Sequence, residues 1–389
     1  MNPTGGADYI ASRRGHRWKR AGLGAAALLT TVALIAGCSD ASSNSDSSKI
    51  GDPAQVTAAK GATAKNVAPI TTIGNFEPLK SKPAAGKTFV WLECDLPVCK
   101  FQREGAEQAA AAVGWTFKVL GYSLADPATQ VSALLQALQF SPAAVGTTSL
   151  QESQFGAVIP AYEKAGAVIL NAYSSAPPTG PIISNYDGPE FSAISGRRMA
   201  NWMIADSNGT GKALVVSVDS VEALKVKDEA FTTFVDENCN ECTVSKLKFS
   251  YEDMASGNAP ATIIGALQQD PSIQYVIFPI GSFSAGMPAA LAAAGLTGKV
   301  KIAGDGGGVQ NLTAMKAGTE NAWTQTNLEF IGWHSVDGAL RHDQGLIIDN
   351  EVYSPQRLLT NDQPFEVSDN LNEPTDIGAQ FKKVWLVAS

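Results

Sequence analysis

Histidine is nearly absent from this sequence. Only His16, His334 and His342 occur among 389 residues, too few to suggest a histidine-based metal site or triad. Positive charge is scarce as well: 29 basic side chains stand against 37 acidic ones, a formal net charge of −8. A net acidic chain is a poor match for a phosphate backbone, so nucleic acid is not an expected partner. Charged residues make up only 17% and hydrophobic ones 44%, which excludes a mostly disordered chain and leaves ample apolar material for a large core. Complete nucleotide and nucleophile motifs are missing too. Gly304-Asp305-Gly306-Gly307-Gly308 has Val309 where a dinucleotide fingerprint needs its third glycine. Gly209-Thr210-Gly211-Lys212 lacks the first P-loop glycine, has Ala213 in place of Ser or Thr, and precedes a strand. No Gly-x-Ser-x-Gly elbow occurs. His334 and His342 have no spaced partner and read as solvated or hydrogen-bonded side chains. No spacing assembles an acid–base pair, and neither a cofactor nor a metal is expected.

What is present begins at the amino terminus. Arg13, Arg14, Arg17, Lys19 and Arg20 form a positive run, and residues 21–37 follow without a charge. A positive run, an apolar stretch and small residues at its end read as an export signal. The stretch is short for a transmembrane helix, which needs about 20 apolar residues. Its ending, Ile35-Ala36-Gly37-Cys38, resembles the bacterial lipobox, in which the cysteine receives a diacylglyceryl thioether and becomes the new terminus. The expected division is a lipoprotein signal peptide over 1–37 and a lipidated flexible tether over 38–85, rich in Ser, Ala, Lys, Pro and Thr. Residues 70–76 are the one part of that tether with the apolar groups to dock on the fold. Cleavage leaves 24 basic and 36 acidic side chains, a net charge of −12.

Besides Cys38, the cysteines form two close pairs, Cys94 with Cys99 and Cys239 with Cys242. In an exported chain two local disulfides are the natural reading. The alternatives are a four-thiolate zinc site, opposed by the distance between the pairs in the chain, and a redox Cys-x-x-Cys. The second is opposed by Cys239, which closes a helical stretch rather than following a strand.

From Gly86 short apolar runs alternate with longer amphipathic stretches. Strands are expected at 88–92, 116–120, 143–145, 167–170, 182–184, 213–218, 244–249, 275–279, 300–303 and 322–325. Helices are expected at 101–113, 128–140, 151–164, 190–206, 222–237, 259–269, 288–294, 310–317 and 331–341. Such alternation means parallel sheets with right-handed crossovers, and ten strands suit two sheets in two lobes better than one.

In open parallel sheets, ligands bind beyond the carboxyl ends of the strands. Those positions hold Glu93 and Asp95, Thr147 and Thr148, Asn171 and Tyr173, Asp219 and Ser220, Ser282 and Phe283, Asp305, and Asn327. Carboxylates, amides and aromatic faces together suit a neutral, polyhydroxylated ligand. Asp305, at a strand exit among four glycines, stands out, because glycines permit close approach.

The order of several segments carries a family resemblance. Lys87-Thr88-Phe89-Val90-Trp91-Leu92, Gly105-Ala106-Glu107-Gln108-Ala109-Ala110 and Gly114-Trp115 come first. Asp270-Pro271-Ser272-Ile273-Gln274-Tyr275-Val276-Ile277-Phe278, Ala294-Gly295-Leu296 and Lys299-Val300-Lys301-Ile302-Ala303-Gly304-Asp305-Gly306 follow. Phe381-Lys382-Lys383-Val384-Trp385 is similar to a closing helix. Together they resemble the type I periplasmic binding proteins, specifically the ribose-binding group of sugar-uptake receptors. Lipobox, tether and cysteine-flanked first loop resemble actinobacterial lipoprotein members.

The resemblance implies an α/β fold of two lobes, each a parallel sheet flanked by helices, with three crossings near Tyr186, Asn327 and Leu358. The amino-terminal lobe would comprise 86–186 plus 328–358, and the carboxy-terminal lobe 187–327 plus 359–389. It implies a small ligand in the cleft, an ABC permease with a cytoplasmic ATPase as partner, attachment to the membrane through the lipid, and no catalysis. Carried over residue by residue, the ligand set is Glu93, Asp95, Asn171, Tyr173, Lys225, Asp305 and Asn327, with Phe283 added from the strand exits. The sequence departs from the family at Ile280-Gly281, where Asn-Asp is usual, after the fourth strand, where Asp-Arg is usual, and at Lys225, where arginine is usual. These departures make the cleft less charged than that of a pentose or hexose receptor. A sensor serving a membrane kinase, an anchored hydrolase and a receptor for a non-sugar molecule are the competing expectations.

Overall fold

The structure, a computed structural model, describes residues 51–388, and its first element lies inside the stretch expected to be a flexible tether. Helix α1, Pro53–Asn66, starts at Asp52, whose carboxylate caps it by accepting from Ala54 N at 2.8 Å; proline at the first helical position fits. It needs little apolar surface to hold, which is why composition hid it: only Val56 and Ala59 are buried. Ala59 packs with Met199, Trp202 and Met203. Beyond α1 the chain stays folded, with Ile73 and Leu79 buried in another core. The tether expectation is thus corrected over the described residues: 51–85 form a belt against both lobes.

Strands β1 (Thr88–Cys94), β2 (Thr116–Tyr122), β3 (Ala144–Thr148), β4 (Val168–Ala172) and β5 (Ile182–Tyr186) make one parallel sheet in the order β2-β1-β3-β4-β5. Helices α2 (Cys99–Ala112), α3 (Pro127–Ala137) and α4 (Glu152–Ala165) connect them. The chain then enters α5 (Pro189–Asp206) and a second sheet. That sheet holds β6 (Lys212–Ser217), β7 (Thr243–Lys248), β8 (Tyr275–Phe278), β9 (Lys301–Gly304), β10 (Ala322–Thr326) and β11 (Gln356–Thr360) in the order β11-β10-β9-β8-β6-β7. Only β11 runs antiparallel, against β10. Helices α6 (Glu222–Asn238), α7 (Tyr251–Ala255), α8 (Ala259–Gln269), α9 (Met287–Ala293) and α10 (Val309–Lys316) belong with it. Helix α11 (Glu329–Asp343) returns to the first lobe, and α12 (Ile377–Val384) closes the chain.

The first two crossings fall at the expected places, after Tyr186 and after Thr326. The third precedes Gln356, because β11 is already part of the second sheet; the expectation near Leu358 is corrected accordingly. The tail is corrected too: Ile377, Phe381 and Trp385 are buried in the core of the first lobe, not the second. The belt and the tail therefore add two further passages between lobes, and they are tied together. Arg357 donates to Val67 O at 2.9 Å and pairs with Glu373 at 2.6 Å, while the other Glu373 oxygen accepts from Ile70 N at 2.9 Å.

Both cysteine pairs are bonded, with Cα–Cα separations of 5.7 Å for Cys94–Cys99 and 5.3 Å for Cys239–Cys242. Each closes a loop of a few residues, so each should contribute less than the roughly 3 kcal/mol of a 15-residue loop. Non-reducing peptide mapping of the exported protein should recover these two pairs, and reduction should lower the melting temperature only slightly; four free thiols would reject the pairing.

Candidate functional site

The carboxyl ends of both sheets face the junction between the lobes, because the chain leaves β5 and β10 directly into the crossings. At the base of this junction sits Asp305. Strand β9 ends at Gly304, where a Cβ would collide with Phe278 O; Asp305 N donates to that same oxygen at 3.1 Å. Gly306, at φ +63°, then turns the chain away. The glycines thus serve the packing of β8, β9 and Trp323, and Asp305 caps no helix, since α10 begins at Val309 with Gly308 as its cap.

The Asp305 carboxylate is mostly buried and collects partners from three elements. Lys227 of α6 pairs with Oδ2, the Thr324 hydroxyl of β10 donates to Oδ1, and Gln356 Nε2 of β11 donates to Oδ1 at 3.3 Å. Gln356 fixes a second charge: its Oε1 accepts from Arg198 Nη1 at 2.6 Å. Burial lowers the pKa of Arg198, and the nearby Asp305 charge opposes that fall.

The first lobe contributes Tyr173, which follows β4 with a left-handed φ of 57° and donates its N–H to Tyr186 O at 2.8 Å. Burial, and then the charges of Asp187 and Asp305, hold its hydroxyl far above the usual tyrosine range. Its ring lies 6.4 Å from Phe191, which is 6.1 Å from Tyr353. Beside these groups a cavity of about 610 Å³ opens, lined by Phe191, Arg198, Tyr353, Ser354 and Gln356 and, on one side, by belt residues that include Asn66, Ile70 and Asn75. The Gln356 amide and the Arg198 guanidinium, beside the Phe191 and Tyr353 rings, can exchange hydrogen bonds with a polar ligand there and stack on its apolar face, while Asp305, Lys227 and Tyr173 are not part of the lining. Among the described residues no group of three or more His, Cys, Asp or Glu is placed to hold a metal, and no helix is long and apolar enough to cross a membrane.

Of the expected ligand residues, the structure brings Tyr173 and Asp305 together. The other six are placed as follows. Glu93 pairs with Arg103 at 3.0 Å. Asp95 buckles two loops, accepting from Ser123 Oγ at 2.6 Å and Leu124 N at 3.2 Å. Asn171 is buried and bonded in both directions to the backbone of Leu150. Phe283 is buried in the core of the second lobe. Asn327 holds the second crossing, donating to Glu373 O at 3.1 Å and accepting from Phe330 N at 3.2 Å. Lys225 is exposed beside Glu229; Lys227, two residues on, is the lysine that reaches Asp305. Helix phase could have found it, since Leu224, Asp228, Phe231 and Val235 form the buried face of α6. Gln356, bonded to Asp305, and Arg198, bonded to Gln356, carry no comparable signal in the sequence. His334 lies in the first core, stacked on Tyr186 at 3.7 Å, where burial pushes its pKa down to about 3.

Comparison with known proteins adds the following. Residues 89–345 match the family described as periplasmic binding protein domain. Comparison with curated proteins gives no match. The sugar-binding protein of a sugar ABC transporter from Bacillus halodurans superposes with a TM-score of 0.62 at 16% identity, covering 71% of this chain and 98% of that one. A carbohydrate transporter solute-binding protein from Agrobacterium radiobacter, in complex with D-arabinose, gives 0.59 at 18%, covering 77% and 100%. A periplasmic ribose ABC transporter protein from Conexibacter woesei gives 0.60 at 19%, covering 72% and 94%. At these identities the likeness is one of fold.

Proposed function

We propose, from the premise that this chain belongs to the periplasmic binding protein family of non-catalytic solute-binding proteins, that it captures a sugar or related polyol between its lobes and delivers it to an ABC permease. The observation that carries the reading is the mostly buried Asp305 at the strand exits, held among Lys227, Thr324 and Gln356. A carboxylate with an ammonium beside it offers a hydroxyl group both an acceptor and a donor, which is what a polyol needs and an apolar ligand does not. The D-arabinose and ribose named for proteins of the same fold support the choice of ligand class. Two lobes joined by crossings are suited to enclosing such a ligand.

A thermal-shift screen against pentoses, hexoses, polyols, amino acids and aromatic acids tests the ligand class. A ligand at 100 times its Kd stabilises the folded state by about 2.7 kcal/mol, so a sugar or polyol is expected to raise the melting temperature by several degrees. Stabilisation by an amino acid or aromatic acid, with none from sugars or polyols, would overturn the ligand class.

We further read the protein as anchored on the extracytoplasmic face of the membrane through Cys38. That residue and the signal peptide read over 1–37 lie outside the described residues, and the support is the Ile35-Ala36-Gly37-Cys38 ending. Mass spectrometry of the amino-terminal peptide is expected to begin at Cys38 carrying a diacylglyceryl group. A peptide that runs through residue 38 with an unmodified thiol rejects the anchor.

A further inference from the structure

The cavity between the belt, α5 and the third crossing is lined by a cation that no acid matches. Five arginines occur among the described residues. Arg103 pairs with Glu93, Glu104 and Glu107, Arg197 with Glu190, Arg341 with Asp337 and Arg357 with Glu373. Arg198 is the exception. Its Nη1 donates to a neutral group, Gln356 Oε1, at 2.6 Å. Its Nε and Nη2 meet no acceptor among the described residues, and neither is sealed off from solvent.

The charges around Arg198 leave it unbalanced. Asp305 is the acid that acts on it, across Gln356, but Lys227 already pairs with Asp305. Two cations, Lys227 and Arg198, thus stand against one anion in the interior. The other charged groups of the lining, Lys65, Asp349 and Glu351, are exposed, where water and salt screen them. An uncompensated charge is costly to bury, and burial lowers the pKa of Arg198 accordingly. A carboxylate brought by a ligand removes that cost. The two unused donors, Nε–H and the Nη2 hydrogen beside it, form one edge of the planar guanidinium, which matches the two oxygens of a carboxylate. Asn66 and Asn75 of the belt and the rings of Phe191 and Tyr353 complete the lining around such a group.

We propose that this cavity takes a small organic monocarboxylate through Arg198. The inference rests on the reading of this chain as a receptor for a sugar or polyol, under which the ligand is a sugar acid, a hexuronate or an aldonate, rather than the neutral molecule expected from the strand exits. Its carboxylate lies on the Nε–Nη2 edge and its hydroxyl groups meet the belt asparagines.

Calorimetric titration of the mature chain at constant pH and ionic strength tests this. The probes are D-glucuronate, D-galacturonate and D-gluconate, each set against its neutral counterpart, D-glucose, D-galactose and D-glucitol. At least one acid should bind about 30-fold more tightly than its counterpart, as a charge-assisted pair implies. Arg198→Gln keeps a polar side chain and removes the charge, so it should lose that preference and leave any binding of the neutral sugar little changed. Arg198→Lys keeps the charge without the fork, so it should still prefer the acid but hold it more weakly. Added salt should weaken the acid more than the neutral sugar. Neutral sugars bound as tightly as their acids, no binding by any of the three acids, or an acid preference that survives Arg198→Gln would each overturn the proposal. The first of these results leaves the sugar reading standing. Acetate or benzoate bound as tightly as the sugar acids, and lost in Arg198→Gln, would keep the acid site and reject the sugar reading instead.

Discussion

Replacing Asp305 with alanine is expected to weaken sugar binding by roughly 2–4 kcal/mol, about 30- to 1000-fold. On the proposed function the carboxylate is the acceptor at the base of the cleft, and charge-assisted hydrogen bonds to a ligand contribute about 1.5–3 kcal/mol each. Its loss also strands its neighbours, since Lys227 loses its counter-ion and the Thr324 hydroxyl and Gln356 Nε2 lose an acceptor. Folding stability should fall as well, because removing one member of a mostly buried ion pair leaves the other uncompensated. A lowered melting temperature by itself therefore cannot assign the role, and affinity must be measured by calorimetric titration below the melting transition. Asp305→Asn keeps one acceptor and should bind more tightly than the alanine variant. Combining Asp305→Ala with Lys227→Met removes the stranded charge and should recover stability without recovering affinity. Unchanged affinity in Asp305→Ala would reject the ligand role.

Much of the fold is legible in the residues because its strands are short apolar runs. Phe89, Val90, Trp91 and Leu92 are all buried, as a central parallel strand covered on both faces requires. Strand β11 escaped because Gln356-Arg357-Leu358-Leu359-Thr360 opens on two polar side chains. Their burial is made tolerable by partners distant in sequence, Ser195 and Asp305 for Gln356 and Glu373 and Val67 for Arg357. Helix α1 escaped for the opposite reason, since an alanine-rich helix that buries two small apolar residues leaves no periodic stripe to read. Asp305, singled out by its strand exit and glycines, is placed among Lys227, Thr324 and Gln356, whereas Asn171 and Asn327, singled out on the same ground of strand exits, bond to the backbone of Leu150 and of Glu373 and Phe330. Loop polarity alone does not separate a side chain free to meet a ligand from one that ties its loop to another segment of the chain.

Replacing Trp385 with alanine should destabilise the protein by about 3–5 kcal/mol, the usual cost of truncating a fully buried tryptophan. Its ring is wholly buried, 5.5 Å from Trp333 and 5.4 Å from Phe381. Its indole N–H donates to Asp337 Oδ1 at 2.8 Å, while the other Asp337 oxygen takes Arg341 Nε at 2.6 Å. Arg341 in turn donates to Glu77 O at 2.8 Å, and Leu79 N donates to Val384 O at 3.0 Å. The Trp385 side chain thus joins the tail to α11, which Arg341 ties in turn to the belt. Burial raises the Asp337 carboxyl, opposed by Arg341 and then by the indole donor, so the alanine variant also takes one of the bonds that keep this buried acid in place. With a lobe of about 150 residues, a loss of this size corresponds to a fall in melting temperature of roughly 10 °C. Trp385→Phe keeps most of the ring contact and drops only the indole bond, so its cost should be nearer 1–2 kcal/mol. Both effects can be read from thermal melts at constant pH. Trp385 lies in the first-lobe core away from the cleft, so affinity measured below the transition should not change in either variant. A melting temperature within about 2 °C of wild type for Trp385→Ala would mean that the tail does not secure the lobe.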